Sequence, residues 1–137
     1  MPTLDRVLET ALYVDDLDRA QGFYAEILGL SLLVRDDRMC AFAVGDRSVL
    51  LIFQRGASRE TIRMSGGAIP PHDGSGPLHV AFAVTAPQLA EWEAQLERCK
   101  VAIEGRTSWP RGGRSVYFRD PDGHLLELAT PGVWKIY

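Results

Sequence analysis

This 137-residue chain predicts an α+β fold built twice, each half running strand, helix, strand, strand, strand. Three observations carry the prediction. "ETALYV" from Glu9 matches "HVAFAV" from His79 at an offset of 70 residues. "FAVGDRSVLLI" from Phe42 matches "FRDPDGHLLEL" from Phe118 at an offset of 76, with the extra residues falling in the loop around "TSWPRGGR". In both halves an alternating strand precedes a stripe of apolar residues at helical spacing. The chain therefore reads as one domain over 1–137, made of modules 5–54 and 77–131 joined by loop 55–76.

Each element has a local reason. In "LETALYV", Leu8, Thr10, Leu12 and Val14 face one way, and Glu9, Ala11 and Tyr13 the other. That alternation is a half-buried strand. Asp15 or Asp16 then caps a helix whose buried stripe is Leu17, Ala20, Tyr24, Ile27 and Leu28, and Gly29 fits the position after its end. Short strands follow in "LSLLVRD", "MCAFAV" and "SVLLIFQ", the last two parted by Gly45-Asp46. Loop 55–76 is rich in Gly and Pro and reads as a long connection, a kind of segment that often carries function. In the second half "PLHVAFAV" alternates again, with His79, Ala81 and Ala83 on one face. Thr85 and Gln88 form a capping box, and Leu89, Trp92, Leu96 and Cys99 make the helical stripe. "VAIEGRT" and "SVYFRD" are strands, Asp120-Pro-Asp-Gly123 is a tight turn, and "LLELA" closes the half.

Composition narrows the functional classes. A net charge of -3 argues against a nucleic-acid or anionic-membrane binder, which would usually be basic. Cys40 and Cys99 lack metal-like spacing and read as reduced core thiols. No apolar run is long enough to span a membrane, and the start "MPTLDRVLET" has no signal-peptide core, so a cytoplasmic location is expected.

The repeat singles out three polar side chains. Glu9 and His79 occupy equivalent places on the first strands of the two halves. Glu127 interrupts the last apolar strand, and its counterpart in the first half is Leu51. Alternation puts all three opposite the helix-packing residues, so strands that curl into a trough would point them inward. A buried unpaired carboxylate is costly, which makes Glu127 the hardest of the three to explain as packing. Two carboxylates and an imidazole on rigid strands make a mixed N/O site for a divalent transition metal such as Fe, Mn, Ni or Zn. Three protein ligands would leave positions open for substrate. The plainer readings are a hydrogen-bonded core His79 and a solvated Glu9.

"ETALYVDDLDRAQGFYAEILGL", "GPLHVAFAV" and "VYFRDPDGHLLELATP" together resemble the vicinal oxygen chelate superfamily: lactoylglutathione lyases, extradiol dioxygenases, fosfomycin-modifying enzymes and bleomycin-resistance proteins. The resemblance implies paired βαβββ modules forming an open, cup-shaped sheet of the glyoxalase-like kind around a divalent metal. It also implies a homodimer, and a small-molecule substrate as partner. His79 and Glu127 match the family's ligand positions. Glu9 stands where the family commonly has His, and Leu51 stands where lactoylglutathione lyases usually carry a carboxylate. That departure points away from lactoylglutathione lyase activity and toward dioxygenases and fosfomycin-type transferases.

Other residues are candidates near such a site. Arg106, Arg111, Arg114 and Arg119 form a local cationic cluster; Arg114, or a neighbour in this loop, is the expected contact for an anionic substrate group, with a solvated hairpin tip as the plainer reading. Trp109 and Tyr117 are expected to line the pocket, and His72 and Tyr117 are the candidate acid–base residues. His124 points with Leu126 and Leu128 and reads as structural or exposed. Trp134 and Tyr137 suit either docking on a partner subunit or packing within the chain. Two functions fit: a metal-dependent enzyme acting on a small oxygen-bearing, anionic substrate, or a metal-free protein that binds small molecules of the antibiotic type on the same fold.

Overall fold

The structure, a computed structural model, describes all residues from Met1 to Tyr137. It divides into two compact units, Met1–Ser75 and Gly76–Tyr137. In the first, β1 (Glu9–Val14), α1 (Leu17–Gly22), β2 (Ser31–Arg35), β3 (Met39–Val44) and β4 (Ser48–Gln54) follow in sequence. A small hairpin, β5 (Ile62–Met64) and β6 (Gly67–Ile69), follows them. The second unit has β7 (His79–Ala83), α2 (Ala86–Arg98), β8 (Ile103–Ser108), β9 (Arg114–Arg119) and β10 (Leu125–Ala129).

The two main sheets have one topology. The strand orders are β1-β4-β3-β2 and β7-β10-β9-β8. In each, the first and last strands pair in parallel and the remaining pairs are antiparallel. A parallel pair needs a crossover, and the helix of each unit begins it. The registers place Ala11 opposite Leu51 and Ala81 opposite Glu127, so Leu51 and Glu127 hold equivalent positions.

Each sheet buries one face against its helix. In the first unit Leu12, Val14, Phe42, Leu50 and Ile52 of the sheet are buried, as are Ala20 and Tyr24, with the Tyr24 and Phe42 rings 6.0 Å apart. The first helix departs from regular spacing. After Gly22 the chain takes one π-helical turn over Phe23–Ile27, with Leu28 N–H donating to the Phe23 carbonyl at 3.3 Å. The wider turn shifts the side-chain phase. Phe23 joins Tyr24 in the core and Ile27 is left half-buried, where the sequence led us to expect Ile27 inside. In the second unit Leu89 and Leu96 of α2 are buried, as are Val116, Phe118, Leu126 and Leu128 of the sheet.

The capping box of α2 is present, with Thr85 Oγ1 accepting from Gln88 N–H and Gln88 Oε1 accepting from Thr85 N–H at 3.0 Å. Thr85→Ala should cost about 1 kcal/mol, read as a lower urea midpoint with an unchanged slope.

The Asp-Pro-Asp-Gly turn fixes the last strand. Asp120 Oδ1 accepts from the N–H groups of Asp122 (3.0 Å) and His124 (2.9 Å). Gly123 adopts φ +85°, which suits glycine. The resulting register sets Leu126 opposite Phe118 and Glu127 opposite Tyr117. The connection 55–76, expected as plain loop, contains the β5–β6 hairpin, with Ile62 paired to Ile69. No helix is long and apolar enough to cross a membrane.

Candidate functional site

Each unit carries a hollow on the sheet face turned away from its helix. In the second unit the hollow is ≈ 510 Å³ and is lined by His79, Glu127, Tyr117, Trp109 and the small residues Ala81, Ala83 and Ala129. His79 and Tyr117 reach it from the strands flanking β10, which holds Glu127 between them. His79 Nε2 lies 3.2 Å from Glu127 Oε2. The Glu127 side chain is only 9% exposed, against 50% for His79.

The proton arrangement follows from the second ring nitrogen. His79 Nδ1 lies 2.9 Å from the Leu125 carbonyl oxygen. A carbonyl can only accept, so Nδ1 carries the hydrogen. In the neutral ring Nε2 then presents a lone pair to a carboxylate oxygen. Two lone pairs at 3.2 Å repel unless a cation, a proton or a metal, sits between them. A backbone carbonyl that fixes the tautomer of a ligating histidine is the usual outer support of such a ligand. The pair therefore fits a divalent cation.

The wall around the pair is aromatic. Trp109 is fixed by Nε1–H donating to Ser115 Oγ at 2.9 Å. The segment after β10 returns over the hollow. Gly132 passes so close to Gly113 that a Cβ on Gly113 would stand 2.4 Å from backbone atoms of Gly132 and Val133. Tyr137 hydroxyl donates to the Val84 carbonyl at 2.6 Å, and Trp134 and Tyr137 join the lining. Of the two options open for this tail, packing within the chain is present for Tyr137.

The first unit's hollow is ≈ 540 Å³ and is lined by Glu9, Leu51, Tyr13, Phe53, Ser58, His72 and Arg38, among others. Glu9 thus stands on the wall of its own unit's hollow. The chain gathers no group of three or more His, Cys, Asp or Glu side chains that could hold a metal. Of the three expected ligands the structure brings together His79 and Glu127, and leaves Glu9 outside that pair. The reason is that Glu9 belongs to the other sheet.

The arginine cluster is placed differently from expectation. Arg114 alternates with Ser115 and Tyr117, so it shares the face of Val116 and Phe118 and does not line the hollow. Arg106 pairs with Glu93 at 2.8 Å and Arg119 with Glu104 at 2.9 Å. The cluster is thus partly neutralised by acids from other elements. His124 is fully buried, and its Nδ1 accepts from Leu78 N–H at 2.9 Å, which makes it structural.

His72 is no free loop side chain. Its Nδ1 lies 2.7 Å from the Tyr13 hydroxyl, and its ring meets Phe53 edge-on with centroids 4.6 Å apart. Tyr13 and Ser58 are site residues that sequence reasoning missed. Tyr13 shares a strand face with Glu9 and Ala11, a signal that was available. Ser58, in a loop without periodicity, had none.

With this geometry in view, the relatives can be placed. Residues 4–128 match the family model of the Glyoxalase/Bleomycin resistance protein/Dioxygenase superfamily. The chain is 34% identical over 118 residues to the metallothiol transferase FosB of Staphylococcus saprophyticus, covering 85% of this chain and 71% of that protein. It is 32% identical over 120 residues to the glutathione transferase FosA of Serratia marcescens, covering 85% and 74%. Among solved structures, a lactoylglutathione lyase from Agrobacterium tumefaciens superposes with a TM-score of 0.89 at 31% identity, covering 98% of this chain and 100% of that one. These named relatives are enzymes. The chain belongs to the glyoxalase/bleomycin resistance protein/dioxygenase superfamily.

Proposed function

We propose that this protein is a divalent-metal-dependent enzyme of the group-transfer type, acting on a small oxygen-bearing substrate, and that it works as a homodimer. The observation that carries the reading is the His79–Glu127 pair: a ring nitrogen whose tautomer is set by the Leu125 carbonyl, 3.2 Å from a largely buried carboxylate oxygen. Glu9 is the third ligand, supplied by a second copy of the chain. Two features support that assignment. No third His, Cys, Asp or Glu joins the pair within one chain. The segment leading into Glu9 carries uncovered apolar side chains, Leu4, Val7 and Leu8 being 98%, 72% and 57% exposed. Exposed apolar surface of this kind marks an interface.

The donor set of one imidazole and two carboxylates suits Mn, Fe, Ni or Zn. When bound, the metal would act as a Lewis acid on substrate oxygens. The chain's own residues do the rest. Ala81, Ala83 and Ala129 leave room for the substrate. Trp109 and Trp134 give it aromatic walls. Tyr117, directly across from Glu127, is placed to hold or give a proton at a substrate oxygen. The relatives named as metallothiol and glutathione transferases agree with this type of chemistry.

Metal analysis of protein purified without chelator tests the reading. We expect a stoichiometric transition metal that is lost in His79→Ala while the fold, read by circular dichroism, is kept. A folded protein with no metal under any growth condition would sink it and leave metal-free small-molecule binding as the function.

A further inference from the structure

The first unit's hollow holds an unsatisfied polar group that no structural role explains. Ser58 is 2% exposed, its Oγ has no hydrogen-bond partner, and it lines the hollow. A buried hydroxyl left unpaired costs about 1–3 kcal/mol, so such groups usually have a purpose. Its backbone carbonyl accepts from His72 N–H at 2.9 Å, which ties the two residues together.

His72 is braced with unusual thoroughness. Arg59 pairs with the neighbouring Asp73 at 2.7 Å, and Asp73 also accepts from Gly56 N–H at 3.0 Å. Arg55 donates to the Gly74 carbonyl at 3.3 Å. Gly74 is needed there, since a Cβ would lie 2.5 Å from the Tyr13 ring. These contacts clamp segment 72–74 against β1 and aim the imidazole. Burial, with the nearby Asp73 carboxylate, raises the Tyr13 phenol above its usual value, so it stays protonated at neutral pH. In the tautomer in which the phenol donates to His72 Nδ1, the ring hydrogen is on Nε2, where it can be given to a ligand.

We propose that this hollow binds a compact carboxylic acid, its carboxylate accepting from Ser58 Oγ–H and His72 Nε2–H and its apolar body lying on Phe53, Leu51 and Ile62. Arg38, also in the lining, adds positive charge. It is partly paired with Asp36, whose Oδ2 lies 3.7 Å away while its Oδ1 accepts from the N–H groups of Arg38 and Met39. Glu9 lies on the same wall, four residues before Tyr13 on β1, so its negative charge must be offset by Arg38 and by the Ser58 and His72 donors. The proposal deepens the function above by naming the substrate's anionic group, because Glu9 lines the same hollow. It moves the expected anion contact from Arg114 to Ser58 and His72.

Benzoate is the probe, with benzamide as its uncharged counterpart. The three histidines make ring signals easy to follow by NMR. We expect benzoate to shift the His72 signals saturably, with a dissociation constant in the millimolar range, and benzamide to bind at least about tenfold more weakly. Ser58→Ala should weaken benzoate about tenfold or more by calorimetry, as should His72→Phe. The same titration on Arg114→Ala protein should be unchanged, because Arg114 lines neither hollow. No saturable binding up to about 50 mM, equal binding of benzamide, or loss of binding in Arg114→Ala would each overturn the proposal. Metal content, read separately, decides the function of the other hollow.

Discussion

Glu9→Gln and Glu127→Gln chains, each unable to retain metal alone, should recover about a quarter of the wild-type metal content when unfolded and refolded together in equal amounts. The fraction follows from symmetry. In a dimer whose site takes Glu9 from one copy and His79 with Glu127 from the other, random assortment makes half of the dimers mixed. Each mixed dimer has one site carrying both substitutions and one carrying neither. The measurement is metal per chain after gel filtration, on the mixture and on each variant. Glutamine keeps the shape of glutamate but lacks its charge, so each parent loses affinity without losing packing. If Glu9 completed the site within its own chain, every site in the mixture would carry one substitution and nothing would be recovered. That outcome would overturn the shared site. Metal retained fully by Glu9→Gln alone would remove Glu9 from the ligand set and leave His79 and Glu127 standing.

What could be read from the sequence divides by range. The hairpin of β9 and β10 was legible because its causes are local: turn chemistry at Asp120–Gly123 and alternation on either side. The equivalence of Leu51 and Glu127 followed from the repeat and survives in the registers. The π-helical turn at Phe23–Ile27 was not legible, since it adds no distinctive residue and only shifts a phase. The arginine cluster differs from expectation for two reasons. Alternation along β9 turns Arg114 to the face opposite Tyr117, and its neighbours Arg106 and Arg119 take partners from α2 and β8, which reading their own segment alone does not reveal. Ser58 was invisible because nothing in a loop says which side chain ends up without a partner. That is decided by packing from Tyr13, Phe53 and the 72–74 segment, far away in the chain.

His124 and His79 provide the sharpest separation of fold from function, because one should cost stability and the other metal. His124→Ala should destabilise the protein by about 2–4 kcal/mol. The ring is fully buried, and its removal opens a void beside Leu126 and strips Leu78 N–H of its acceptor. The same N–H lies one residue from His79, so the loss falls at the start of β7. His79→Ala removes a side chain that is half exposed in an open hollow. Water can enter beside Glu127 and the Leu125 carbonyl in its place, so stability should change by no more than about 1 kcal/mol. Urea unfolding should be run with chelator present, since bound metal would otherwise add its own stabilisation to the wild type. Metal content is then measured on both variants without chelator. The expected pattern is opposite: His124→Ala less stable but still retaining metal at low temperature, His79→Ala stable and empty. If His79→Ala were as unstable as His124→Ala and kept its metal, the imidazole facing Glu127 would be a packing residue. Its 3.2 Å approach would then be an ordinary charge-assisted hydrogen bond with the proton as the bridging cation.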